Sequence, residues 1–196
     1  MILQSLEKRR SCYALTAKST LSDAQIKELV ETAVKHAPSS FNSQSTRAVV
    51  LLGKEHHALW DITREALRAI VPADNFAPTE EKINSFDAAY GTILYFEDWT
   101  AVEALQAQFP AYKDNFPIWA YQANAMAEYI IWTALADAGM GASLQHYNPL
   151  IDKEVKKYFN LPASWKLVAQ MPFGVAAAPA GEKTFLPIAE RVIVKK

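Results

Sequence analysis

Four short stretches of the chain concentrate side chains that could do chemistry. Glu7-Lys8-Arg9-Arg10-Ser11 sets three cations beside a hydroxyl. Such a group can grip a phosphate or the polar edge of a heterocycle, and it can equally complement the C-terminal dipole of a helix. His36 to Arg47 reads HAPSSFNSQSTR. Pro38-Ser39-Ser40 followed by Asn42 is turn chemistry, in which the side chains satisfy their own backbone. A turn needs fewer such residues, however, and here Ser39, Ser40, Asn42, Ser43, Gln44, Ser45 and Thr46 run almost unbroken. Neutral donors and acceptors at that density suit a ring of alternating carbonyls and ring nitrogens. Ser143 to Pro149 mixes amide, imidazole and phenol, with Gln145 and His146 either binding groups or the polar end of a strand. Gly181 to Pro187 adds a loop cation, Lys183.

Other chemistries are excluded. The six glycines, at 53, 91, 139, 141, 174 and 181, allow neither GxGxxG nor GxxxxGK[ST], so a Rossmann dinucleotide site and a P-loop are both out. None of His36, His56, His57 and His146 lies in HExxH, and there is no GxSxG elbow. His56 and His57 fall on different faces of one helix, which favours a structural or surface role over metal ligation. With Cys12 the single cysteine, no intramolecular disulfide can form and no thiolate zinc site is expected.

The elements that must carry these stretches follow from apolar spacing. Ile2 to Arg9 is a short helix. Ser22 with Gln25 makes a capping box for a helix in which Ile26, Leu29, Val30, Ala33 and Val34 share a face, and Pro38 stops it. Ala48 to Leu52 is a buried strand, Lys54 to Ile70 a helix, Gly91 to Phe96 a second strand, and Trp99 to about Gln108 a weaker helix. Pro117 opens a long helix that Gly139 can end in a left-handed conformation. That helix is apolar almost all round, so sheet, helices or a second subunit must cover it. Ala142 to Gln145 is a short strand, Ile151 to Phe159 a helix, Lys166 to Met171 a strand and Arg191 to Val194 an isolated terminal strand that needs a sheet to join. Helices dominate and strands are scattered, an α+β arrangement.

The 196 residues suit one domain, 1–196, with a sizeable core. A net charge of -1 leaves no electrostatic footprint for nucleic acid or an anionic membrane. Gln122, Asn124, Glu128 and Asp137 interrupt the most apolar window, 117–138, which therefore reads as a core helix and not a membrane span. MILQSLEKRRSC lacks the order of a secretory signal, and a cytoplasmic setting is expected.

In order and together, RRSCY (9–13), APSSFNSQSTR (37–47), GMGASLQHYNP (139–149) and EKTFLP (182–187) resemble the FMN-dependent nitroreductase family. SSFNSQ, AYGTILYFED and SLQHYNP are most similar to its compact branch of copper-induced bacterial and related fungal nitroreductases. The resemblance implies a central, mostly antiparallel sheet flanked by helices, and an interlocked homodimer with an FMN in each of two interface clefts. It assigns Arg9, Arg10, Ser11 and Tyr13 to the FMN phosphate, ribityl chain and pyrimidine edge. Pro38, Ser39, Ser40, Asn42 and Gln44 would reach the flavin of the neighbouring subunit. Gln145, His146 and Tyr147 would lie beside the isoalloxazine, and Lys183 would meet the phosphate. Where relatives carry K-x-R before Leu-Pro, this chain has Lys183-Thr184-Phe185, leaving Arg191 as a substitute second cation. The glycine-containing loop with which longer relatives touch flavin N5 is not reproduced by QHYNP.

The implied activity is ping-pong hydride transfer from NADH or NADPH to a small aromatic or quinone acceptor, with no catalytic side chain and no metal, because the cofactor carries the reaction. Phe41, Trp99, Phe109, Trp119 and Tyr147 are candidate walls for a flat acceptor. A flavin-binding regulatory or stress-response protein with little turnover is the alternative.

Overall fold

A computed structural model describes residues 2–196. The helices are α1 (Ile2–Lys8), α2 (Asp23–His36), α3 (Lys54–Arg68), α4 (Ala77–Asp87), α5 (Trp99–Gln108), α6 (Phe116–Asp137) and α7 (Asp152–Tyr158). The strands are β1 (Thr46–Leu52), β2 (Gly91–Asp98), β3 (Gly141–Ala142) and β4 (Trp165–Gly174). They form one antiparallel sheet in the order β1-β2-β4-β3. Among the described residues no helix is long and apolar enough to cross a membrane.

Side-chain alternation along β2 divides the core. Ile93 and Tyr95 face Ile26, Val30 and Ala33 of α2 and Ile131 and Leu135 of α6, together with Met171 and Phe173 of β4. Leu94 and Phe96 face the other way, onto Leu59 and Trp60 of α3, Ile83 and Phe86 of α4 and Val155 of α7. Covered by helices on both faces, β2 is buried from Gly91 to Glu97.

Local signals set the helix ends. Ser22 and Gln25 form the capping box, the Ser22 N–H donating to Gln25 Oε1 at 2.9 Å. Pro117 sits in the first turn of α6, and Gly139, with φ 82°, ends that helix in the left-handed region. A polar node ties α3 to the sheet: Trp60 Nε1–H donates to Thr92 Oγ1 (3.1 Å), which lies 2.9 Å from His56 Nδ1. His56 Nε2 is 3.1 Å from the Asp87 carbonyl. With Thr92 donating to Nδ1 and Nε2–H to the carbonyl, the ring is satisfied while neutral, and burial pushes its pKa down.

Several boundaries differ from the spacing. β1 begins two residues before Ala48 and α3 ends two before Ile70, both at ends that cap chemistry does not mark. β3 is shorter than 142–145, with Gln145 making a separate bridge to Gln170. α4 has no counterpart in the sequence reading, because only Ile83 and Phe86 of its eleven residues are buried. The expected terminal strand at 191–194 does not form: after a 3₁₀ turn at Ile188–Glu190, no strand among the described residues takes its hydrogen bonds, and Ile193 is 75% exposed.

Candidate functional site

The basic motif lies along the short edge of the sheet. Ser11 bridges Ala142 in parallel, the Cys12 N–H donates to the Ala142 carbonyl (2.9 Å), and Thr16 N–H donates to the Val175 carbonyl (2.9 Å). Gly141 allows this close approach, since a Cβ there would stand 2.7 Å from that of Cys12. Arg9 stacks its guanidinium over Trp132 of α6 at 4.4 Å and near Tyr129 at 5.7 Å. Its Nε is buried and finds no hydrogen-bond partner among the described residues. Arg10 donates to the Gly181 carbonyl, which brings the Lys183 loop to this edge. Tyr13, Lys183 and Arg191 are exposed.

The 143–147 loop continues the same edge. Gln145 and Gln170 exchange backbone bonds of 2.8 and 2.9 Å, and Gln145 Nε2 donates to Ser143 Oγ at 3.0 Å. Tyr147 N–H donates to Gln170 Oε1 at 2.7 Å. His146 is exposed, whereas the Tyr147 ring packs against Trp60 and Phe86, and burial raises its pKa. Tyr147 therefore commits its ring to the core and its N–H to Gln170.

The polar loop before β1 stands elsewhere. Phe41, Asn42 and Gln44 have φ of 55°, 51° and 49°, the left-handed region that bulky side chains seldom occupy. Ser39 Oγ accepts the Gln44 N–H at 3.0 Å, and Arg47 donates to the Gln44 carbonyl at 2.6 Å while pairing with Asp98 at 2.9 Å. Sparsely populated backbone held this firmly is a mark of functional loops. Phe41 closes a partly exposed aromatic wall with Phe109, Tyr112, Phe116 and Trp119. Of the five wall candidates, Phe41, Phe109 and Trp119 thus come together. Trp99 packs against the same Val102, Phe116 and Ala120 cluster, but its ring neighbour is Tyr121 and it lies beneath Lys166.

Beneath this loop is a polar cluster that apolar spacing does not reveal. Glu97 Oε1 accepts from Thr46 Oγ1 (2.8 Å) and Asn124 Nδ2 (2.9 Å). Glu97 Oε2 and Asn124 Oδ1 are buried without a partner among the described residues. Glu128, on the same side of α6, has its pKa pushed up to about 7 by burial and then by Glu97. Its only sequence signal, shared with Gln170, is a polar residue inside an apolar run.

The two polar edges are far apart. Gln145 lies opposite Gln170, whereas Thr46 shares a row with Glu97 and Lys166. At about 4.8 Å between strands and about 3.4 Å per residue, they stand roughly 20 Å apart on the diagonal of the sheet. One group of site candidates therefore comprises Arg9, Arg10, Ser11, Gln145, His146 and the Tyr147 backbone, with the Lys183 loop alongside. The other comprises Pro38, Ser39, Ser40, Asn42 and Gln44.

One further cluster has metal-ligand side chains, with ligand atoms of His56, His57 and Asp87 within 4.8 Å of one another. Both His56 nitrogens are occupied, and Asp87 already holds His57 Nδ1 at 2.7 Å and Arg64 at 3.5 Å. It is a clamp between α3 and α4.

An antiparallel sheet between two helical layers, with anion-capable and amide-rich edges, defines an α+β fold. The chain belongs to the nitroreductase family, whose pattern it matches over residues 6–175. It is 33% identical over 186 residues to the nitroreductase FRM2 of Saccharomyces cerevisiae, covering 94% of this chain and 92% of that one. The yeast protein HBN1 is 38% identical over 188 residues, with the same coverage. The structure of nitroreductase CinD from Lactococcus lactis in complex with chloramphenicol superposes with a TM-score of 0.92, at 46% identity and full coverage of both chains. CinD has also been solved with 4-nitrophenol and with nicotinic acid. A nitroreductase from Desulfovibrio desulfuricans in complex with FMN shares the fold at 21% identity and a TM-score of 0.73.

Proposed function

We propose that the chain is an FMN-dependent oxidoreductase, working as a homodimer, that moves electrons from NADH or NADPH to small aromatic or quinone acceptors. The observation that carries this reading is the separation of the two polar edges. A flavin needs an anion site for its phosphate and neutral partners for its ring, and one chain holds its basic edge roughly 20 Å from the neutral 38–44 loop. A second copy can bring its 38–44 loop to the basic edge of the first.

Three features support such a pairing. Ile118, Met126 and Ile130 leave an apolar stripe of α6 uncovered. β1 is the sheet's outer strand, and no strand among the described residues pairs with its free edge. Beside that edge runs a groove of about 450 Å³ lined by Val30, Val34, Pro38, Gln44 and Ala48. The Val192-Ile193-Val194 tail of a second copy has the β-branched composition to extend β1.

The residues present fit FMN. Arg9 Nε is a buried donor still without an acceptor, and Arg10 and Lys183 stand on neighbouring segments for the phosphate. When bound, FMN supplies hydride chemistry at its ring, so the chain needs no nucleophile. Arg9, Arg10 and Lys183 hold the anion, while Gln145 and the loop backbone orient the ring. Ser39, Ser40, Asn42 and Gln44 of the other protomer meet its carbonyls and nitrogens. The wall of Phe41, Phe109 and Trp119 excludes water and offers a flat acceptor a stacking surface. The aromatic ligands of CinD support that acceptor class, and nicotinic acid shares its ring with the nicotinamide donor.

Purified protein reconstituted with FMN is expected to be yellow, to bleach anaerobically with NAD(P)H and to regain colour on adding a nitroaromatic. Colour without bleaching would instead indicate a flavin-binding protein without turnover, and failure to take up FMN would contradict both.

A further inference from the structure

We propose that Gln170 is the positioning residue of the 143–147 loop, the element that sets where the flavin ring can rest; this builds on the FMN reading above. Gln170 is fully buried near the middle of β4, in an otherwise apolar run, Leu167 to Phe173. It holds the loop at three points. Its backbone N–H and carbonyl both pair with Gln145, and its side-chain Oε1 accepts the Tyr147 N–H at 2.7 Å. The last bond also fixes the orientation of the amide, because only an oxygen can accept from that N–H.

This leaves Gln170 Nε2 buried with no acceptor among the described residues. A stranded buried donor destabilises a protein, so the packing of β4 alone does not call for an amide at this position. Its place on a core strand breaks a local rule, as residues that serve a site do. What it secures is the loop backbone. The Tyr147 ring is anchored between Trp60 and Phe86 and Gln145 is tied to Ser143, so the Oε1 bond fixes the remaining joint between two anchored side chains. A flat ring resting on main-chain groups requires this rigidity, since a displacement on the ångström scale breaks hydrogen bonds.

The test compares Gln170→Met, which removes both amide functions at similar volume, with Gln170→Glu studied at mildly acidic pH, where the buried carboxyl is protonated and keeps a carbonyl oxygen for the Tyr147 N–H. The full-length protein is studied FMN-free and reconstituted. In Gln170→Met relief of the stranded Nε2 offsets loss of the acceptor for the Tyr147 N–H, so the FMN-free protein is expected to melt close to the parent. Its Tyr147 amide should exchange about tenfold faster, and its FMN Kd should rise about tenfold. Gln170→Glu should restore amide protection and most of the affinity. Unchanged FMN affinity in Gln170→Met overturns the positioning role, as does a parallel loss of stability and affinity that Glu does not rescue. If the parent takes up no FMN, the flavin reading itself fails, an outcome distinct from a parent that binds and a Met variant that binds equally well.

Discussion

Arg10→Ala is expected to emerge from gel filtration without flavin. Arginine grips a phosphate through paired charge-assisted hydrogen bonds, each worth about 1.5–3 kcal/mol, so losing the pair weakens binding roughly 10²- to 10⁴-fold. The fold adds a second effect. Arg10 donates to the Gly181 carbonyl, so its removal also releases the segment that carries Lys183 from the basic edge. Arg10→Lys keeps the charge and loses the planar fork, and should lie between the parent and the alanine variant. The check is the ratio of flavin to protein absorbance after filtration, and full occupancy in Arg10→Ala would contradict the assignment of the basic motif.

Glu128→Gln should raise stability at neutral and alkaline pH. Burial and the neighbouring Glu97 push the Glu128 pKa up to about 7 from 4.5, so the folded chain binds a proton that the unfolded chain releases. Between these values the folded state carries more protons, and stability must fall as pH rises. The contribution is present in full below about pH 4.5 and is lost through about pH 7, a change on the order of 3 kcal/mol. Glutamine has the shape of the protonated acid and no charge to bury. Denaturant midpoints of parent and variant should nearly coincide in acid, diverge from about pH 5 to 7, and stay apart above that. Parallel profiles across the whole range would show that Glu128 is not the titrating group.

These two residues mark how far the sequence can be read. The Ser22–Gln25 capping box, the apolar face of α2 and the glycine stop after α6 are local signals, and they appear where spacing places them. α4 buries too few apolar residues to show a period. Val192 to Val194 has strand composition, but a strand exists only where another accepts its hydrogen bonds, and a sequence does not say which edge that is. The same holds for the site. Arg9-Arg10-Ser11 and the 38–44 loop are conspicuous by residue type, yet their separation follows from the order β1-β2-β4-β3, which no local pattern encodes. Glu97, Asn124, Glu128 and Gln170 look like interruptions of apolar segments until the sheet and α6 bring their partners together.

That separation also supplies the most direct test, a hybrid dimer made by co-expressing two differently tagged variants. One carries Arg10→Ala. The other carries Asn42→Gly with Gln44→Gly, since glycine keeps the left-handed backbone of these positions while deleting their side chains. Each variant alone should fail to retain FMN. In the hybrid, the intact basic edge of one chain meets the intact loop of the other, so one of the two sites is whole and half-occupancy is predicted. A hybrid as empty as its parents would mean that each flavin site is built within a single chain, contradicting the shared cleft.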